Sequence, residues 1–453
     1  MPTHDLRAAL AADEVRDVVA AACYAPEPGA PELGKVGLEA EAFPVRLTDG
    51  GAPAGRVPLT DSGAPGTLSV LGRLTPHTQT PGGVPLFALD AGTQVTCEPG
   101  GQVEVATAPW DTAAAALAAL DRASMDVAHS YAMAGATLAA AGVDVWHPAD
   151  SVTRQLETPR YSAMAAYLAR RGPAGRTMMC HTASLQVNLC LGPPSTAGER
   201  WLVANLLAPL LVATFAASPV PGAVSGRGLL WRQLDPTRTG LPARSLSGSE
   251  DPVDQLAGLA LSADVLLVRT RHGCRPGTPG RTFGDWLRAG GPAGWPTAED
   301  LRYHLTTLFP EVRARGFLEL RGVDALPRRW RAVPVVLLVG ALYDARARQQ
   351  IRGLLERHRA TLSTLLDRAV VSGVADPAMC AQAVEAWSLA LAGGRRLPVG
   401  YVRDQDLRTT ETFLDHFTMR GRCPADELAE RLADSPAAAL AWAGDPIDTL
   451  TPL

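Results

Sequence analysis

Glutamates recur at strand-like spacing along this chain, and their grouping raises a question of charge. In "KVGLEAEAF", Lys35 to Phe43, the alternation of a β-strand puts Gly37, Glu39, Glu41 and Phe43 on one face. Val36, Leu38, Ala40 and Ala42 take the other. "QVEVA" sets Glu104 against Val103 and Val105, and "FLELRG" sets Phe317, Glu319 and Arg321 against Leu318 and Leu320. "TASLQVNLCL" alternates Thr182, Ser184, Gln186, Asn188 and Cys190 with Ala183, Leu185, Val187, Leu189 and Leu191. One wet face is ordinary for an antiparallel sheet. A wet face built from Glu39, Glu41, Glu98, Glu104 and Glu319 is not, because gathered carboxylates repel one another unless cations join them. Hard cations such as Mg2+ take carboxylate oxygens and are often completed by substrate phosphates. Such a sheet is a candidate platform for Mg2+ and a nucleotide.

The elements that must position these groups read as follows. A helix is predicted over residues 4–24 and a strand over 35–46, followed by a Gly/Pro-rich loop from Thr48 to Pro85. "LFALDAGTQVTCEPGGQVEVATAP" reads as short strands around a Pro-Gly-Gly turn. "WDTAAAALAALDRASMDVAHSYAMAGATLAAAG" reads as one long helix, capped by Asp111 or Thr112 and stopped at Gly142, with "VDVWHPA" a strand after it. Helices are predicted around "RYSAMAAYLARRG", from Trp201 and at "TAEDLRYHLTTLF", and strands at "TASLQVNLCL", "DVLLVRT" and "GFLELRGVD". From Trp330 onward the pattern is mostly helical. The strands alternate polar and apolar, so the expected class is α+β: an antiparallel sheet with helices on one face. Neither a repeat nor a linker is evident, and residues 1–453 read as a single catalytic domain.

Composition removes other classes. The 453 residues are 47% hydrophobic, enough for a large core, with a net charge of -4 and an isoelectric point near 6.2. No basic footprint for nucleic acid is present. Seven cysteines, an odd number at wide spacing with no CxxC pair, argue against a disulfide framework or structural zinc and point to a reducing cytoplasm. "MPTHDLRAALAADEVRDVVAAACY" lacks the cationic start and apolar run of a signal peptide. The most apolar stretch, Trp201 to Val220, contains Asn205 and Pro209 and reads as a buried helix, so no membrane partner is expected. The chain has no P-loop, no strand–GxGxxG–helix unit and no HExxH, and "GAVSGRG" is not GxSxG. Read as strand neighbours, Cys180 and His181 point to opposite faces and form no nucleophilic dyad.

Six motifs in register then carry a resemblance: "VGLEAEAF", "CEPGGQVEVA", "PRYSAM", "MMCHTASLQVNL", "YHLTTLFPEVRARGFLELRGVD" and "CPADELAERL". From about Val36 to about Leu432 the chain resembles the glutamate–cysteine ligases of the plant and bacterial type, above all the bacterial branch that starts ergothioneine synthesis. The resemblance implies a glutamine-synthetase-like fold, a curved antiparallel sheet with helices on its convex face. It implies Mg2+- and ATP-dependent joining of the L-glutamate γ-carboxylate to the L-cysteine amine through a γ-glutamyl phosphate, with no covalent enzyme intermediate. It further implies that Glu39, Glu41, Glu98, Glu104 and Glu319 hold metal and that Arg321 faces the transferring phosphoryl group. Gln186 and Asn188 would face substrate and phosphate, Arg160 and Arg238 would hold substrate carboxylates, and Met179 and Thr182 would shape the amino-acid pocket. One departure stands out: Cys190 occupies a place where this branch has an acid. It keeps open a γ-glutamyl ligase for another amine, and a catalytically silent relative is the third reading.

Overall fold

The computed structural model describes residues 9–240, 246, 251–271, 273–291 and 293–444. Its strands are β1 (Val36–Leu47), β2 (Pro53–Arg56), β3 (His77–Gln79), β4 (Pro85–Ala88), β5 (Gln94–Cys97), β6 (Val103–Ala106), β7 (Ala136–Ala139), β8 (Ser184–Cys190), β9 (Leu267–Thr270), β10 (Gly273–Pro276), β11 (Val312–Ala314) and β12 (Phe317–Asp324). Ten of them form one sheet in the order β11-β12-β8-β1-β6-β5-β4-β3, with β2 and β7 pairing to the far half of β1. Every pairing is antiparallel. The expected α+β class is what the chain adopts. The segment "DVLLVRT" contributes β9 to a separate hairpin with β10.

The period-2 pattern decides which face goes inward. Val36, Leu38, Ala40, Val103, Val105, Leu185, Val187, Leu189, Leu318 and Leu320 are all buried. Against them pack the helices Ala113–Ala132, Pro194–Thr214 and Ala332–Tyr343. Ala332–Tyr343 is apolar all round because helix Pro377–Arg396 covers its other side. Burying a Leu or Val side chain in such a layer contributes roughly 1.5–3 kcal/mol. Among the described residues no helix is long and apolar enough to cross a membrane.

Three local expectations need correction. The long helix ends at Ala132, where Thr112 caps its start by accepting from Ala115 N. Gly135 then takes φ +69, a left-handed conformation that glycine adopts freely, and "ATLA" pairs with β1 as β7. The alanines favour helix, but the backbone partners offered by β1 outweigh that weak local preference. "VDVWHPA" is a turn rather than a strand: Asp144 Oδ1 accepts from the backbone N–H groups of Trp146 and His147. Cys180 and His181 close the helix Ala174–His181 instead of lying in a strand. At the N-terminus the helix spans Glu14–Cys23, shorter than expected because residues 9–13 are not helical; residues 4–8 of the expected helix lie outside the described residues.

Candidate active site

The polar face of β11, β12, β8, β1 and β6 floors a cavity of about 720 Å3. Strand register brings the acids together. Glu41 stands opposite Glu104, and Glu39 opposite Gln186 on the other side. Glu98 enters from the turn after β5. Glu39, Glu41, Glu98 and Glu104 all line the cavity.

Their environment disfavours their ionised form. Burial pushes Glu98 up to about 8, with Glu41 adding to the effect. Burial raises Glu104 well above the usual carboxylate range, and Glu39 and Glu98 push it further. Glu39 and Glu41 are also raised, both chiefly by burial, with Glu319 adding to the effect on Glu39 and Arg227 opposing it on Glu41. Neutral donors orient three of them. Asn188 Nδ2 donates to Glu39 Oε1 at 2.9 Å. Ser184 N and Oγ donate to Glu41 at 2.8 and 3.2 Å, Gln186 Nε2 adds a third bond at 3.2 Å, and Thr96 Oγ1 donates to Glu104 at 3.1 Å.

Arg321 is the cationic counterpart. It lines the cavity, and its Nη1 donates to Gln186 Oε1 at 2.6 Å and to Glu319 Oε2 at 2.9 Å. Glu319 itself lies behind the wall, fully buried, and takes further bonds from Arg313 at 2.5 and 2.8 Å and Arg315 at 3.1 Å. Burial opposes its ionisation, but Arg321 and then Arg313 outweigh that and bring it down to about 2.

The rest of the lining is cationic and apolar. Arg160, Met179 and Thr182 line the cavity as the resemblance implies. Arg160 rests over the Tyr303 ring and donates to Thr306 O at 3.2 Å. Arg238 does not reach the cavity. It is wholly buried and spent on Asp235 Oδ2 at 2.7 Å, Asp264 O at 2.7 Å and Thr307 O at 2.9 Å, so its role here is structural. Asn188 also stays off the wall and acts through Glu39. Cys190 lies at the far end of β8, where Lys35 N donates to its Sγ at 3.2 Å and Gly34 packs against it, so it leaves the acidic site untouched.

The sequence pattern between residues 35 and 446 matches the model of glutamate–cysteine ligase family 2. The chain belongs to the glutamate–cysteine ligase family. It is 35% identical over 354 residues to glutamate–cysteine ligase EgtA of Mycolicibacterium smegmatis, covering 76% of this chain and 79% of that one. The EgtA of Mycobacterium tuberculosis is 35% identical over 359 residues, with 77% and 79% covered. A chloroplastic glutamate–cysteine ligase of Medicago truncatula is 32% identical over 278 residues, with 59% and 54% covered. The chain is thus an ATP-dependent carboxylate–amine ligase.

For a ligase of anionic substrates, four cavity arginines outside the motif-derived set matter: Arg227, Arg302, Arg313 and Arg315. Arg313 and Arg315 stand in "PEVRARGFLELRG", just before the recognised strand, and Arg313 pairs with Glu319 across β11 and β12; two arginines so close to that acid are the signal that could have found them. Arg227 sits in "SGRG" at the start of a helix, bonded to Arg321 O at 2.9 Å and stacked 4.9 Å over Trp231, with no local pattern to mark it. Among the described residues no three acidic, histidine or cysteine side chains enclose an ion as they stand. The donor set still fits a hard divalent cation. Four carboxylates line one cavity, each is disfavoured as an anion by burial, and Arg321, which acts on three of them, is already shared with Glu319.

Proposed function

We propose that this chain joins the γ-carboxylate of L-glutamate to the amine of L-cysteine at the expense of ATP, supplying γ-glutamylcysteine for ergothioneine or a related thiol. The observation that carries the proposal is the lining of one cavity, which combines Glu39, Glu41, Glu98 and Glu104 with the arginines Arg160, Arg227, Arg302, Arg313, Arg315 and Arg321. ATP and glutamate are both anionic, so their reaction needs positive charge at both the phosphates and the carboxylates.

Mg2+, held by Glu39, Glu41, Glu98 and Glu104, would neutralise the phosphates and the floor together. Arg321 lies beside that floor, and Gln186 fixes its guanidinium where a phosphoryl group would pass. Glu319 anchors Arg321 in the state described here; it joins the metal cluster only if Arg313 and Arg315 release it. Arg160 and Arg227 are placed to hold substrate carboxylates, with Met179 and Thr182 shaping the apolar side of the pocket. The γ-carboxylate oxygen attacks the terminal phosphorus of ATP and ADP leaves. The amine nitrogen then attacks the acyl carbon, phosphate leaves, and the amine proton goes to solvent. No side-chain nucleophile takes part.

Cys190, the residue that kept another amine open, does not line the cavity. Purified protein with Mg2+, ATP and glutamate, titrated with cysteine and then with other amines, tests the proposal through ADP release. Release dependent on cysteine is expected. Release with another amine but not cysteine would redirect the proposal, and none with any amine would end it.

A further inference from the structure

The turn that carries Glu98 is clamped from outside the cavity by a buried cluster with no part in the chemistry above. Residues 98–101 close the β5–β6 hairpin, with Gly101 N donating to Glu98 O and Glu98 N to Gln102 O, both at 2.8 Å. Gly101 takes φ +81, which favours glycine, and a side chain at Gly100 would stand 2.4 Å from Cys180 Cα. Two side chains hold this tight turn by one carbonyl. Arg56 Nη2 and Gln155 Nε2 both donate to Gly100 O at 3.0 Å, and Gln155 N donates to Pro99 O at 2.6 Å.

Arg56 is itself fixed. Its Nη1 donates to Asp144 Oδ2 at 2.9 Å, with the two side chains 5% and 0% exposed, and its guanidinium lies 4.8 Å over the Phe43 ring. Asp144 is oriented in turn by the backbone of Trp146 and His147 and by His147 Nδ1 at 2.9 Å. For stability alone such a buried pair gains little over well-packed apolar residues. What an apolar pair could not supply is a donor to the backbone two residues from Glu98. The forked guanidinium serves Asp144 and Gly100 at once, which a lysine ammonium in the same place cannot reproduce.

We propose that Arg56, oriented by Asp144 and assisted by Gln155, is a positioning residue that sets Glu98 to receive a divalent cation. The proposal rests on reading Glu98 as a metal-facing carboxylate. The test compares the full-length wild type with Arg56→Lys and Gln155→Met by two readouts. One is hydrogen–deuterium exchange of the peptide across 94–106 in metal-free protein; the other is Mn2+ affinity by electron paramagnetic resonance. In Arg56→Lys that peptide should exchange roughly tenfold faster while peptides of the helix 332–343 stay protected, and Mn2+ affinity should fall roughly tenfold. Gln155→Met, losing the weaker share of the clamp, should lose about fivefold. If Arg56→Lys does not fold, Gln155→Met decides alone. Unchanged exchange and affinity in folded variants of a Mn2+-binding protein would overturn the positioning role. A wild type that binds no Mn2+ would overturn the metal reading of Glu98 and the positioning role with it.

Discussion

Glu98→Gln should make the metal-free protein more stable while removing its activity. Glu98 ionises near 8 in the fold, against about 4.5 in an unfolded chain. The sign follows from linkage. Below pH 4.5 both states are protonated and the group costs nothing. Between pH 4.5 and 8 the unfolded chain ionises first, so stability drains away as pH rises, and above 8 the loss is complete. Each tenfold difference is about 1.4 kcal/mol, which puts the ceiling near 5 kcal/mol; Glu98 opens onto the cavity, and about half that is a fair expectation. The amide carries no such cost, and it also relieves Glu41 and Glu104 of a neighbouring charge. With about 2.1 cal/mol/K of unfolding entropy per residue, a chain of this size gains roughly 1 °C in Tm per kcal/mol, so the variant should melt about 2–3 °C higher at pH 8 and at the wild-type temperature near pH 4. Differential scanning fluorimetry in EDTA from pH 4 to 9 measures this, with ADP release scored in parallel. A variant with the same pH slope as wild type, or less stable at pH 8, would refute the claim that the acidic floor lacks counter-charge.

Three further outcomes are expected. Arg321→Ala should lower kcat by roughly 10^3 or more with little change in KM for ATP, as loss of charge stabilisation during phosphoryl transfer requires; a rise in KM alone would move Arg321 from phosphoryl transfer to binding. Glu319 ionises near 2, so its contribution of about 3 kcal/mol is present above pH 4.5 and lost as pH falls toward 2; Glu319→Gln should therefore be inactive and less stable at pH 7, with the difference shrinking on acidification, and equal melting at pH 7 would refute the arginine anchor. Arg238→Met should destabilise by about 3–5 kcal/mol because it leaves Asp235 buried with a weakened partner, yet the folded fraction should keep its KM for glutamate; a raised KM with normal stability would return Arg238 to the substrate.

What could be read from the sequence was what depends on period and local chemistry. Glu39 and Glu41 share a face because strand side chains alternate, and that holds before any partner strand is known; register then adds Glu104 and Gln186. The Pro-Gly-Gly turn announced itself by composition and brought Glu98 along. Properties set by distant partners were hidden. Arg160 and Arg238 look alike in sequence, but only Arg160 meets the cavity, since Asp235, Asp264 and Thr307 close around the other. Cys190 sits on the same face as Gln186, yet four residues along a strand carry it beyond the site toward Lys35 and Gly34. Arg56 lay in a stretch read as loop, and its link to Glu98 runs through Asp144 and Gly100, which no spacing rule connects. "ATLA" reads as helix until β1 offers it a ladder.

The central claim is that this cavity activates a γ-carboxylate by phosphorylation and passes it to an amine. L-Glutamate labelled with 18O in the γ-carboxylate, incubated with the protein, Mg2+, ATP and cysteine, tests it by mass spectrometry. The account predicts γ-glutamylcysteine, ADP and phosphate carrying one 18O taken from glutamate. Unlabelled phosphate, or AMP in place of ADP, would contradict it.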